Sequence, residues 1–407
     1  MLASTSPGIL RPGNNSYNGA SWISSLQGLL EEDPGVELAL VFPTKDNIPF
    51  SGKHGRTVYF PLYRPERSAL AKLAYYYGGY RKYLSEDHIT PLLLPAIEAF
   101  KPDIIQIFGT ESDMAFIMSQ TDVPCVIHLQ GLLEAYHRAF FPLDINEKMF
   151  RREFMSFREK VLRNGILFNY REMGIRAKRE YEYMRLCRFF MGRTDWDRSM
   201  VNTVNPYATY FHVDEVLRPP FYGAGKWRPK SGHLSIVSTI SDTLYKGFDL
   251  ILRTAAILKD MVDDFTWTVV GVSPSDPTVK FFEKHYGISH TEVNVECAGV
   301  LLADKIISLL QDASVYVHPS YIDNSPNSLC EAQYLGVPAV ATNVGGVSTL
   351  MASQPWNLVP AGDAHALAAS IMRITPEDNQ MADAIKRHDK AKIKNELLSA
   401  YKSILNK

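Results

Sequence analysis

Short apolar runs alternate with longer amphipathic stretches along both halves of this chain. The runs are rich in β-branched residues, and the stretches between them carry apolar side chains at helical spacing. In the first half, residues 36–42, 104–108, 123–129 and 189–192 read as strands, with helices over 22–30 and 68–77. The second half repeats the theme, with strands over 234–239, 266–270, 314–318 and 339–342. Its helices are expected over 248–258, 302–310, 328–335 and 365–374. Such alternation marks parallel sheets with crossover helices, so each half predicts its own doubly wound α/β sheet.

The division between the halves falls at a cluster of Pro219, Pro220, Gly223, Gly225, Pro229 and Gly232, punctuation that suits an exposed hinge. This gives one domain over 1–220 and a second over 221–380. Residues 381–407 are Lys-rich and helical without a strand. They are expected to form a terminal helix, either solvated or packed back on the N-terminal domain. At the other end, a first strand has only residues 2–5 before Ser6-Pro7-Gly8, which suggests a start short of the natural one.

Composition narrows the function classes. Lys plus Arg is 43 against 44 for Asp plus Glu, a net charge of -1, so no basic field marks a nucleic-acid binder. The four cysteines form no C-x-x-C pair, which fits a reducing compartment and neither a disulfide scaffold nor a zinc site. No apolar run reaches the roughly 18–20 residues that span a bilayer, and a cytoplasmic location is expected. Charge is uneven in one place only. Residues 148–198 hold 14 Lys/Arg against seven Asp/Glu, interleaved with aromatic residues. The plainer account is a solvated basic side over an aromatic core side. The other is a face that meets anionic lipid or an anionic acceptor, placing the protein peripherally at the inner face of the cytoplasmic membrane.

The densest candidate chemistry runs from His318 to Ala332, HPSYIDNSPNSLCEA. It leaves a predicted strand, crosses a polar loop and enters a helix, and in open α/β sheets ligands sit at such carboxyl ends of strands. Asn327 and Ser328 can cap that helix, and the free N–H groups near Ser328 and Leu329 suit a phosphate. Glu331 has the chemistry to accept hydrogen bonds from sugar hydroxyls, although an acidic residue near a helix start is also favoured for stability alone.

The whole arrangement is harder to dismiss. Asp323, seven residues, then Glu331, framed by Pro319-Ser320 and by Gly336-Val337-Pro338, resembles the retaining GT-B glycosyltransferases of family four, the group 1 enzymes of bacterial polysaccharide biosynthesis. Tyr245-Lys246-Gly247, Gly345-Gly346, the LVPAGD run from Leu358 to Asp363 and Asn18-Gly19-Ala20 fall in the order of that family. The resemblance implies two Rossmann-like domains facing each other across a cleft, with the donor mainly on the second and the acceptor on the first. It implies a hexosyltransferase that uses a nucleotide-sugar donor, a saccharide or lipid-linked saccharide acceptor, and no bound metal or other cofactor. Lys246 and the helix N-terminus would stabilise the leaving diphosphate, Asp323 would hold the hexose, and Glu331 the ribose. Asn327, Ser328, Leu329, Gly19 and Ser241 complete the expected donor site.

Three positions depart from the family pattern. Asp323 stands where Glu is usual, Ser241 where many members carry a phosphate-binding Arg, and Gln130-Gly131 where many have His-Asp. Gln130 hydrogen-bonds a hydroxyl but carries no proton at neutral pH. Acceptor-side candidates at strand ends are Glu111, His128 and Arg193; His128 shares a strand face with Gln130 but is as readily a core histidine. Asp195-Trp196-Asp197 has the form of a metal-binding acid pair, yet its place at a helix start favours capping. Two alternatives stand beside the transferase: a nucleotide-sugar epimerase of the same fold, and a catalytically weak donor-binding protein suggested by the three departures.

Overall fold

The computed structural model describes residues 1–2, 21–45, 52–229, 232–262 and 264–406. The first domain is built on β1 (Leu38–Thr44), β2 (Gly52–His54), β3 (Thr57–Tyr63), β4 (Ile105–Phe108), β5 (Cys125–His128), β6 (Phe189–Gly192) and β7 (Thr209–His212). Their order is β2-β3-β1 and β4-β5-β6-β7, and Leu2 bridges the two groups, pairing with Val41 and Ile107. All pairs are parallel except β2 with β3. The second domain has six parallel strands in the order β10-β9-β8-β11-β12-β13. They are β8 (Leu234–Thr239), β9 (Phe265–Val270), β10 (Val295–Gly299), β11 (Val315–His318), β12 (Ala339–Thr342) and β13 (Leu358–Val359).

Period-two alternation feeds both faces of each sheet. In β1, Leu40 and Phe42 join Trp22, Leu26 and Leu30 on one face, while Val41 joins Leu93, Ile107 and Ile127 on the other. In β11, Val315 and Val317 pack with Leu250 and Phe282, and Tyr316 with Leu329 and Leu335. The expected strands and helices are present with small boundary shifts. Thr57–Tyr63, Thr209–His212, Val295–Gly299 and Leu358–Val359 are strands beyond those expected. Pro61 obscures β3 in the sequence; among the described residues β2 pairs only with residues 57–59, so no described strand needs an N–H from Pro61 on that side.

The last helix, Lys390–Leu405, lies on the first domain, with Ile393, Leu397, Ala400 and Ile404 buried against the Trp22 and Leu26 face. Lys394 pairs with Asp33 at 2.9 Å and Tyr401 hydrogen-bonds Gln106. The basic segment buries part of its aromatic side, including Phe150, Phe168 and Tyr183, and leaves most of its basic residues exposed, with Arg171 and Arg176 pairing with Glu147 and Glu172. Part of it bridges the cleft, with the Phe150 ring tilted against Phe281 at 5.0 Å and the Phe154 ring edge-on to it at 4.1 Å. No helix among the described residues is long and apolar enough to cross a membrane.

Candidate active site

Two glycines bring the site together. Gly247 follows the single turn Leu244–Lys246 with φ +80, and a Cβ there would lie 2.1 Å from the Pro319 carbonyl oxygen. Only glycine permits both the left-handed turn and this approach, which docks Lys246 onto the loop after β11. Gly345 holds the other side of the loop at φ +49, with its Cβ position 2.0 Å from the Asp323 carbonyl oxygen.

Between the domains lies a pocket of about 310 Å³. It collects Gln130, Arg193, Ser241, Lys246, Asp323, Asn327 and Ser328 from widely separated parts of the sequence, and adds Trp22 and His318. Lys246 Nζ is 2.5 Å from Asp323 Oδ2, His318 Nε2 is 3.3 Å from the same oxygen, and the Tyr136 hydroxyl donates to Oδ1 at 3.2 Å. Burial disfavours the Asp323 carboxylate, but Lys246 and His318 outweigh it and hold the carboxyl below its usual range. Burial likewise opposes the Lys246 charge, and Asp323 overcomes it, raising that pKa.

Arg193, an acceptor-side candidate contributed by the first domain, lines the same pocket as Lys246. It is 3% exposed, with Nη2 donating to the Leu129 and Gln130 carbonyls at 3.3 and 3.4 Å. Among the described residues its Nε and Nη1 have no hydrogen-bond partner, Nη1 standing 3.6 Å from Glu215 in a loose ion pair. The pocket thus has a second cation, contributed by the opposite domain, where Ser241 leaves one lacking.

The remaining candidate residues lie in different settings. The helix Asn327–Leu335 has Pro326 as its N-cap and no side-chain cap, so Asn327 and Ser328 do not cap it. The Leu329 N–H is already donated to the Pro326 carbonyl at 3.0 Å, and the Leu329 side chain is fully buried. The N–H groups nearest the pocket are therefore those of Asn327 and Ser328. Glu331 lies outside the pocket lining, held by a fork from Arg218 at 2.6 and 2.7 Å, and burial raises its pKa despite that partner. His128 is a core residue, packed edge-on to Trp22 with Nδ1 2.9 Å from Gln106 Nε2, and burial drives its pKa well below the ordinary value. Glu111 lines a separate, larger cavity of the first domain. Gly19 lies outside the described residues.

Residues that pattern reading overlooked lock the domains across the cleft. Thr194 donates to Asn324 Oδ1 at 2.7 Å, and Asn324 Nδ2 donates to Asp197 at 2.9 Å. Asp197 also closes a capping box with Thr194, so the acid pair near Trp196 is a helix start. Gly346 packs beneath, its Cβ position 2.2 Å from the Asn324 carbonyl oxygen. Nearby, Glu215, Cys330 and His388 bring ligand-type atoms within 4.8 Å. Burial keeps the Cys330 thiol protonated, and the Glu215 carboxylate already accepts from Ser325 and Cys330, so this trio is a hydrogen-bond network.

Residues 232–376 match the family model of glycosyl transferases group 1. The second domain is thus similar to the group 1 glycosyltransferases. That match covers the pocket-lining loop and Lys246, and the first domain lies outside it. The chain's relatives include WcaL of Escherichia coli (strain K12), named for colanic acid biosynthesis, 27% identical over 162 residues that cover 38% of this chain and 39% of WcaL. The amylovoran biosynthesis glycosyltransferase AmsK of Erwinia amylovora is 27% identical over 150 residues, 35% of this chain and 36% of AmsK. The chain thus spans about two fifths of the length of the curated relatives it matches. Over nearly its full length it superposes on Anabaena HepE solved with UDP and glucose, with a TM-score of 0.61, 15% identity, and coverage of 99% and 98%. It also superposes on WaaG, a glycosyltransferase of lipopolysaccharide biosynthesis, with a TM-score of 0.55 at 13% identity, covering 94% and 95%. The GT-B architecture therefore extends to the first domain, where sequence likeness is weak.

Proposed function

We propose that this protein is a retaining, metal-independent hexosyltransferase moving a hexose from a nucleotide sugar to a saccharide or lipid-linked saccharide. The observation that carries this reading is the convergence of Lys246, Arg193 and the N-terminus of helix Asn327–Leu335 on one pocket. Two cations and neutral N–H donors suit the charge that grows on a departing nucleoside diphosphate, and such preorganised groups are commonly worth about 10²–10³ in rate. In the step itself, an acceptor hydroxyl oxygen bonds to the anomeric carbon on the face that the diphosphate leaves. The bond from that carbon to the diphosphate oxygen breaks, and the acceptor proton passes to the leaving phosphate. Gln130 needs no proton of its own in this scheme. Asp323, locked as an anion by Lys246, accepts from hexose hydroxyls.

HepE was solved with UDP and with UDP-glucose, which makes uridine the first base to try. The test is a thermal-shift series with UDP and UDP-glucose on wild-type and Lys246→Ala protein. Ligand at roughly 100-fold over its Kd should stabilise by about 2.7 kcal/mol. A shift in the wild type that disappears in the variant supports the donor site, and no shift with any nucleoside diphosphate refutes it. Turnover that consumes donor only when acceptor is present marks the transferase, conversion without acceptor marks an epimerase, and binding without any turnover marks a mere binder.

Peripheral contact with an anionic membrane face belongs to the same proposal. Its support is an exposed apolar strip, Leu70, Leu73, Tyr77, Phe157 and Val161, beside Lys72, Arg158, Lys160 and Arg163. Tyr77 hydrogen-bonds the Val161 carbonyl and Arg163 lies 4.5 Å over the Tyr77 ring, so the strip is continuous. Sedimentation with phosphatidylglycerol vesicles should fall for Phe157→Ser; equal partitioning with neutral vesicles would refute the contact.

A further inference from the structure

The first domain holds a second, larger cavity of about 1240 Å³ at the carboxyl ends of β1 and β4. Its lining carries six basic residues, Lys45, Arg64, Arg67, Lys72, Arg176 and Arg179, against four carboxylates, Glu66, Glu111, Asp113 and Glu172. The pairing is incomplete. Arg64 takes Asp113 at 2.8 Å, Lys45 and Lys72 share Glu66 at 2.7 and 3.1 Å, and Arg176 takes Glu172 at 2.8 Å. Arg67 and Arg179 have no carboxylate partner among the described residues.

We propose that the acceptor is an anionic saccharide, one bearing a phosphate or a carboxylate, and that Arg67 and Arg176 beside Tyr75 recognise its charge in this cavity. The inference rests on the transferase reading and deepens its acceptor side.

The geometry supplies both a charge site and an apolar wall. The Arg67 guanidinium lies 4.0 Å from the Tyr75 ring centre and 4.3 Å from that of Tyr83. Stacking in this way fixes its plane while leaving its N–H edge free for an anion. Tyr75 donates to Glu172 at 2.7 Å, and Arg176 takes the same carboxylate oxygen, so Arg67, Tyr75 and Arg176 form one continuous wall. Arg179 approaches from behind, donating to the Leu84 carbonyl at 3.0 Å and 7% exposed. The Nε atoms of Arg176 and Arg179 are buried without a partner among the described residues. Buried donors are seldom left unmatched, and charge-assisted bonds from a guanidinium are among the strongest available to a ligand.

The fold builds this wall with an unusual turn. At Gly78, with φ +131, the chain kinks between two helices, which carries Tyr75 and Tyr76 onto Phe168 and opposite Tyr83. Glu111 does not cancel the surplus charge, because burial lifts its pKa to about 7 and its Oε2 has no partner. The cavity is separate from the donor pocket, and the link between them is Glu111, whose charge is felt at Tyr136, the residue that donates to Asp323.

The test is calorimetric titration of the full chain with glucose 6-phosphate, glucuronate and glucose, with and without saturating UDP. At least one charged probe should bind about tenfold tighter than glucose, the favoured probe naming phosphate or carboxylate as the source. Arg67→Gln and Arg176→Gln should each erase most of that preference while the UDP affinity stays within about twofold. UDP binding with no preference for either charged probe overturns this inference alone. A preference that survives both substitutions overturns it as well. Charged-probe binding that depends on Arg67, in a protein that binds no nucleoside diphosphate, would overturn the transferase reading and leave the anion site standing.

Discussion

Lys246 Nζ lies 2.5 Å from Asp323 Oδ2, and the two residues come from different loops of one sheet, the turn after β8 and the loop after β11. Tyr136, from the opposite domain, occupies the other carboxylate oxygen. Asp323 therefore reports on both the assembly of the second domain and the closure of the cleft. Neither partner is removed without leaving a buried charge behind.

Lys246→Ala leaves Asp323 uncompensated, and breaking such a pair costs about 3–5 kcal/mol. The variant should lose stability as well as donor binding. The pair Lys246→Met with Asp323→Asn should recover most of the unfolding midpoint in guanidinium while turnover stays lost. Full activity in the double variant would contradict the assigned roles.

Asn324 is the cross-domain bolt. Asn324→Ala removes its bonds to Thr194 and Asp197, and Asp197 is fully buried. Asp197 keeps the donors of Arg193, Thr194 and Tyr210, so the cost is that of the lost hydrogen bond to a charged group, about 1.5–3 kcal/mol. We expect a lower melting temperature together with a larger radius of gyration in solution scattering, since the lost bonds span the cleft. A compact but less stable variant would show that other contacts, such as Phe154 on Phe281, hold the domains together.

Glu111 gives a pH dependence whose sign follows from its pKa, lifted by burial from 4.5 to about 7. The folded state holds that proton across a window where the unfolded state has released it. Stability therefore falls as pH rises from about 4.5 to 7, by up to about 3 kcal/mol from this group. Glu111→Gln should flatten that part of the profile in urea titrations. Asp323 acts oppositely, its depressed pKa supplying stability that is lost only as pH falls below the ordinary carboxylate range.

Arg218 fixes Glu331 by two charge-assisted bonds. Arg218→Ala should destabilise the protein by about 3 kcal/mol, because Glu331 is 3% exposed. Glu331→Gln in the same background should restore part of that loss. Chemical denaturation of the three proteins checks the coupling; strictly additive effects would show that the fork is not the source.

The loop from His318 to Ala332 was legible because its order of residue types is local: a strand end, a polar turn, and a helix start within 15 residues. Lys246-Gly247 was legible for a related reason, since the glycine records a backbone position that a Cβ would block. Arg193 and His128 were visible only as residues near strand ends. Which of them faces the pocket depends on side-chain packing, and Trp22 and Phe108 enclose His128. No spacing rule separates the two.

By itself the sequence determined two doubly wound sheets, the place of the Asp323 loop and the presence of Lys246 beside it, because hydrophobic period and turn chemistry act over a few residues. Tertiary structure alone decided that Arg193 joins Lys246, that Arg218 claims Glu331, and that Asn324 bolts the domains across 130 residues of chain from Thr194. These are contacts between distant segments, fixed by how the two sheets face each other. Local pattern carries no record of that orientation.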